Sequence, residues 1–178
     1  MKKRIIRIAS LALVILGMVS CSDEQETALR PQDAKSIPMT FLVSHPGQAS
    51  RATETNFEKN DKIGLYVADA KAQLEIGGNL VNNEALTYDG SKWAAARALY
   101  WDKGTYTAYA YYPYIENVSS ITDQSFSVAL DQRVAKTATS LGGYEASDLL
   151  FATSKNISAS ASPINLTFKH IMSKLKIR

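Results

Sequence analysis

One segment restricts the fold of this 178-residue chain more than any other: residues 105–112, TYTAYAYY. Alternation at period two puts Tyr106, Ala108, Ala110 and Tyr112 on one face and Thr105, Thr107, Tyr109 and Tyr111 on the other. Both faces are bulky, so the strand is expected inside a sheet. Pro113 ends it, because proline has no N–H to give to a ladder. The aromatic set of nine Tyr, five Phe and two Trp, with many Thr, Val and Ile, favours strands throughout. Turn signals recur about every 8–12 residues between short apolar runs, which predicts an all-β sandwich of about seven strands.

The same reading places the other elements. Residues 39–44, MTFLVS, form an apolar run of strand length, followed by the loop HPGQASRATETN. In FEKNDKIGLYV, Asn60-Asp61 supplies turn chemistry and IGLYV a strand. Residues 70–83 are ambiguous, with turns marked by Gly77-Gly78 and Asn82-Asn83. LTYDGSKW predicts a hairpin closed by Asp89-Gly90, and AAARALYW an irregular stretch ending in a strand at 98–101. FSVAL (126–130) is expected as a strand, DQRVAKTATS as a short helix or ordered loop, and DLLFAT (148–153) as a strand. After the small-residue linker SASASP, INLTFKH alternates with Ile164, Leu166, Phe168 and His170 on one face. MSKLKIR continues that alternation.

The amino terminus has a different grammar. Met1-Lys2-Lys3-Arg4 precedes an apolar run and then Ser20-Cys21, the pattern of a secretion signal helix over 1–20. The apolar run is shorter than the about 20 residues needed to span a bilayer. Met18-Val19-Ser20-Cys21 resembles a lipoprotein lipobox, which implies cleavage between Ser20 and Cys21 and acylation of Cys21. Several acyl chains give durable attachment, at about 0.8 kcal/mol per buried methylene. Ser22 after the cysteine, and the acidic SDEQE run, resemble signals for the outer membrane and its outer surface; an ordinary solvated linker has the same composition. Residues 21–36 then form the lipidated cysteine and a flexible tether, and 37–178 the sandwich domain.

Composition excludes some functions. Lys2, Lys3, Arg4 and Arg7 leave with the signal, so 16 of the 20 basic residues remain against 17 acidic ones. Without a basic patch, nucleic acid is not an expected partner. Cys21 is the only cysteine, so once acylated it leaves no thiol for a disulfide, a metal or a nucleophile. His45 and His170 lie far apart and show no metal spacing, and no Gly-x-Ser-x-Gly elbow or phosphate loop is present. No catalytic residue, cofactor or metal is assigned. Trp93, Trp101, Tyr109, Tyr111, Tyr112 and Tyr114 are candidates for a glycan platform, although aromatics at strand spacing also fill sandwich cores.

Five phrases in order, RATETNFEKNDKIGLYV, YDGSKW, YWDKGTYTAYAYYPY, SDLLFA and INLTFKHIMSKLKI, resemble the N-terminal domain of the fimbrillin-like family of surface lipoproteins. The resemblance covers about residues 39–178 and implies a transthyretin-like, Greek-key sandwich. Family members usually carry two such domains, so the length implies a fragment or degenerate copy lacking the C-terminal domain. The resemblance further implies a pilus subunit or anchor in which an arginine-directed protease removes the first strand. A strand of another subunit then fills the groove. Mapped onto this chain, the displaced strand carries Met39, Phe41 and Val43, and the cut falls at Arg51-Ala52, an assignment that competes with a plain solvated arginine. Arg30 is a second candidate whose cleavage would only release the domain from its lipid. The expected partners are outer-membrane lipid, other fimbrillin-type subunits, and a host or glycan ligand. A stand-alone surface adhesin or glycan-binding module, and a non-functional gene fragment, are the alternatives.

Overall fold

Alternating apolar residues generate eight strands in the computed structural model, which describes residues 37–47, 56–137 and 139–172. They are β1 (Phe41–Ser44), β2 (Lys62–Asp69), β3 (Val81–Tyr88), β4 (Trp93–Ala95), β5 (Thr105–Tyr112), β6 (Leu150–Ser158), β7 (Ile164–Thr167) and β8 (Lys169–His170). Six form an antiparallel sheet in the order β4-β3-β2-β5-β6-β8, and β1 pairs in parallel with β7. The expected all-β sandwich class holds, with eight short strands where about seven were predicted.

TYTAYAYY takes the interior position its two bulky faces required. In the β2–β5 register, Leu65 opposes Ala110 and Val67 opposes Ala108, while Tyr66 opposes Tyr109 on the other side. One face therefore builds the core. Ile63, Leu65 and Val67 of β2 meet Ala108, Ala110 and Tyr112 of β5, Leu150 and Ala152 of β6, and Ile164, Leu166 and Phe168 beyond them. Trp101 is 1% exposed at its centre. Its indole N–H donates to the Ser160 carbonyl at 3.1 Å, which gives the polar end of a buried ring a partner.

The opposite face is also covered. Tyr66 and Ala68 are buried there, so β2 is enclosed on both sides. Gly64 faces Tyr111 across the ladder, and an added methyl at Gly64 would overlap the Tyr111 ring. The glycine is thus required by a neighbour's aromatic ring and not by a turn.

Local chemistry closes the hairpins. Asp89-Gly90 turns β3 into β4, with Gly90 at φ 103° and Tyr88 opposite Trp93 in a stacked pair 5.2 Å apart. The Asp89 carboxylate accepts from the backbone N–H groups of Ser91 and Lys92, which holds its pKa down at about 2. Pro113, which follows Tyr112 across a cis peptide, ends β5, because it has no N–H to give to the ladder.

Four expectations are corrected. The strand expected at 98–101 is reduced to an isolated antiparallel bridge between Tyr100 and Pro38. Asn82-Asn83 lie inside β3, at an irregularity where the pairing slips between Leu65 and Val67. Asn83 adopts φ 44°, a conformation asparagine tolerates, and its amide donates to the carbonyls of Ile115 and Glu116. FSVAL is not a strand: it finds no ladder partner, and Leu130 is fully exposed. The Ala129 N–H donates instead to the Ser147 hydroxyl at 2.8 Å. The strand expected at 148–153 starts later and continues to Ser158. Its far half kinks around Lys155-Asn156, where pairing with β5 shifts and Asn156 sits at φ 57°. DQRVAKTATS is loop at every described position.

Gly64→Ala is expected to destabilise the domain by about 1–3 kcal/mol, the usual cost of overpacking. Gly77, with open space around it, is the control, and Gly77→Ala should change stability by less than about 0.5 kcal/mol. Urea unfolding of both variants checks this, and equal stability would remove the steric role of Gly64.

Candidate functional site

The segment 37–44 is held to two distant parts of the chain. Its first half runs antiparallel to 99–101: the Met39 N–H donates to the Leu99 carbonyl at 2.8 Å, and the Trp101 N–H to the Ile37 carbonyl at 3.0 Å. Its second half, β1, switches to parallel pairing with β7, Phe41 opposite Ile164 and Val43 opposite Leu166. The Ile164 N–H donates to the Thr40 carbonyl at 2.8 Å, and the Phe168 N–H to the Ser44 carbonyl at 3.0 Å. Met39, Phe41 and Val43 pack against the core, whereas Leu42 is 58% exposed. The structure therefore brings together the three residues singled out for this strand, on one side of it. Leu99, Trp101, Ile164, Leu166 and Phe168 belong to the same core cluster.

An aromatic and histidine cluster closes the end of this seam. Phe57 meets Trp93, Tyr112 and Phe168 edge-on with centroids 5.0–5.5 Å away, and His45 edge-on at 4.9 Å. His170 lies 6.1 Å from His45, and its Nδ1 is 2.8 Å from the Asp148 carboxylate. Burial first, and the neighbouring His170 second, push the His45 pKa below its usual value, against the opposing pull of Asp148 and Asp61. His170 thus occupies the half-buried edge position its alternation implied. The meeting of His45 with His170 was not legible, because 125 positions separate them.

A second missed feature fixes the entry to β2. The Asp61 side chain is nearly inaccessible; one oxygen accepts from the Glu58 N–H at 2.7 Å and the other from the Lys136 ammonium at 2.5 Å. Burial pushes the Lys136 pKa down, yet the hydrogen bonds and charges of Asp61 and Glu58 outweigh it and hold it above the ordinary lysine value. A cleft of about 520 Å³ opens beside this pair, lined by Asn60, Thr87, Pro113, Tyr114, Thr137 and Leu141 among others.

The six aromatics considered as a glycan platform do not share a surface. Trp93, Trp101 and Tyr112 are in the core, and Tyr109 and Tyr111 are on the opposite face of the sheet. Ser20, Cys21, Arg30, Arg51 and Ala52 lie outside the described residues. Among the described residues no group of three His, Cys, Asp or Glu side chains has metal-binding geometry, and no helix is long and apolar enough to cross a membrane.

A family model described as fimbrillin-like matches residues 50–178. The chain belongs to the fimbrillin-like family, and its place there is that of a non-enzymatic protein. It is 30% identical over 129 residues to a Bacteroides ovatus protein named "Putative fimbrium tip subunit Fim1C". That match covers 67% of this chain and 23% of the relative, so the chain spans about a quarter of its length. A crystal structure of a "putative cell adhesion protein" from Bacteroides uniformis superposes with a TM-score of 0.51 at 20% identity. It covers 75% of this chain and 48% of that one, a likeness of fold.

The depressed pKa of His45 carries a sign. Folding disfavours its protonated form, so its contribution is complete above the ordinary value of 6.5 and is lost as pH falls through the lower folded pKa. Urea midpoints at pH 7.5 and pH 5 should show a fall for the natural chain and a smaller fall for His45→Asn. Equal falls would remove His45 from the seam's pH response.

Proposed function

We propose that this chain is a surface-exposed, lipid-anchored fimbrial subunit or anchor that joins its neighbours by exchange of the strand at 39–44. Family membership supports a fimbrial or adhesive role at the cell surface. The single observation that carries the exchange reading is the way this strand is attached. It is short and is paired in parallel to a segment more than 120 positions away, with Phe41 opposite Ile164. Its inward side chains nevertheless seal part of the core.

The energetics fit replacement better than simple loss. Burying Met39, Phe41 and Val43 contributes on the order of 5 kcal/mol, and β7 would be left with unpaired backbone groups. A slot of that kind is filled by any strand with apolar residues at alternate positions, which is β-augmentation. Arg51 is the proposed cleavage position and Ala52 the new terminus. The loop containing them is rich in small polar residues, the composition that proteases favour. Cys21 is the proposed site of acylation, with the signal removed after Ser20. The outer membrane is then the anchor, other fimbrillin-type subunits are the partners, and adhesion to a host or glycan ligand is the purpose of the assembly.

Two measurements test this. Limited digestion with an arginine-specific protease should convert monomer to oligomer on size-exclusion chromatography, and Arg51→Gln should block the conversion. If cut and uncut chains elute alike as monomers, strand exchange is abandoned. In cells, radiolabelled palmitate should mark the natural chain and not Cys21→Ala, and retention of label by the alanine variant would end the anchor assignment.

A further inference from the structure

One stretch of the chain has the pattern of a strand and no ladder. In residues 126–130, FSVAL, the apolar Phe126, Val128 and Leu130 alternate with the small Ser127 and Ala129. Residues 124–130 carry no charge. Val128 and Leu130 are exposed, the latter completely. The ties that hold the stretch in place are slight. The Ala129 N–H donates to the Ser147 hydroxyl at 2.8 Å, and Phe126 lines a cavity on the outer face of the sheet with Tyr66 and Phe151. An uncharged apolar segment outside any ladder is a template for pairing with another chain.

The place held by residues 39–44 asks for the same pattern. There Met39, Phe41 and Val43 pack against the core, while Thr40, Leu42 and Ser44 are exposed. Set on 39–44 without a gap, residues 126–131 bring Phe126, Val128 and Leu130 to the inward positions and Ser127, Ala129 and Asp131 to the outward ones. The inward sets are Met, Phe and Val in one case and Phe, Val and Leu in the other. Apart from order they differ by a Met-to-Leu exchange, which conserves volume. A slip of one residue would turn Ser127 and Ala129 inward, so one register is selected.

We infer that FSVAL is a donor strand for a second copy of this chain, taking the places of Met39, Phe41 and Val43 once that copy has lost its first strand. This donor presupposes the strand exchange proposed above and gives it a partner segment. A second copy is the occupant because Phe126 lies on the outer face of the sheet, whereas the slot lies on the core side, so a chain's own donor is across the sheet from its own slot. Donor and slot at different places on one chain make a head-to-tail contact, which extends into a filament.

The test uses the full chain with Arg97→Lys and Arg133→Lys, so that an arginine-specific protease spares the described arginines. After cleavage this chain should oligomerise on size-exclusion chromatography. The same chain with Val128→Ser and Leu130→Ser should remain monomeric after cleavage. Both side chains are exposed, so before cleavage the variant should melt at its parent's temperature, which separates a lost donor from a lost fold. A labelled peptide of residues 124–132 should bind the cut chain, and the peptide with both serine substitutions about a hundredfold more weakly. Equal oligomerisation of the two cut chains overturns the donor and leaves strand exchange standing with another one. Cut chains that both stay monomeric and take up no peptide overturn the donor together with strand exchange.

Discussion

The pairing of β2 with β5 is the constraint on which the rest of the structure depends. Its register decides which side of every neighbouring strand faces the core, because a slip of one residue would exchange the two faces. With Leu65 against Ala110 and Val67 against Ala108, small residues on β5 leave room for the larger ones from β2, and Trp101 and Phe168 fill the remaining volume. On the reverse side the same register sets Tyr111 over Gly64, where only a hydrogen leaves space for a ring. One pairing thus specifies a packed core and an aromatic outer face together.

The seam around β1 has a different character. The central ladder runs along most of β2 and β5, whereas the first strand is divided between two partners and changes from antiparallel to parallel between Pro38 and Phe41. Parallel pairing requires the chain to travel far before it returns, so this contact closes one of the longest loops in the domain. Such a contact contributes burial without being needed to align the central sheet. At its end His45 packs edge-on against Phe57, where burial holds the His45 pKa below its usual value.

Much of the architecture was legible because it rests on short-range rules. Period-two alternation located β5 and β7, the run IGLYV after the Asn60-Asp61 turn located β2, Asp89-Gly90 located the β3–β4 turn, and Pro113 located the end of β5. The family was legible from an ordered set of phrases, none of them diagnostic alone. What escaped depended on long-range encounters. FSVAL has the composition of a strand, but no neighbouring edge pairs with it. Asn82-Asn83 has the composition of a turn, but the partner strand continues past it and turns it into an irregularity. Lys136 and Asp61 form their ion pair across 75 positions, and no local pattern announces it. Nothing local singles out Phe57, and its contacts with four other aromatic rings exist only once the sheets are stacked. The three residues named for the first strand through the family resemblance lie on one side of it, as period-two alternation of a strand requires.

The irregular half of β6 has a consequence of its own. Among the described residues, only Leu150 and Phe151 of this strand are paired on the side facing β8. Lys155 and the left-handed Asn156 interrupt its later half with a cation and a bend, two devices known to discourage unplanned sheet growth. For a subunit that joins its neighbours by strand exchange, as proposed above, such asymmetry would matter: one flank welcoming, the other inhospitable. Without it, polymer would spread sideways into aggregate instead of lengthening as a fibre.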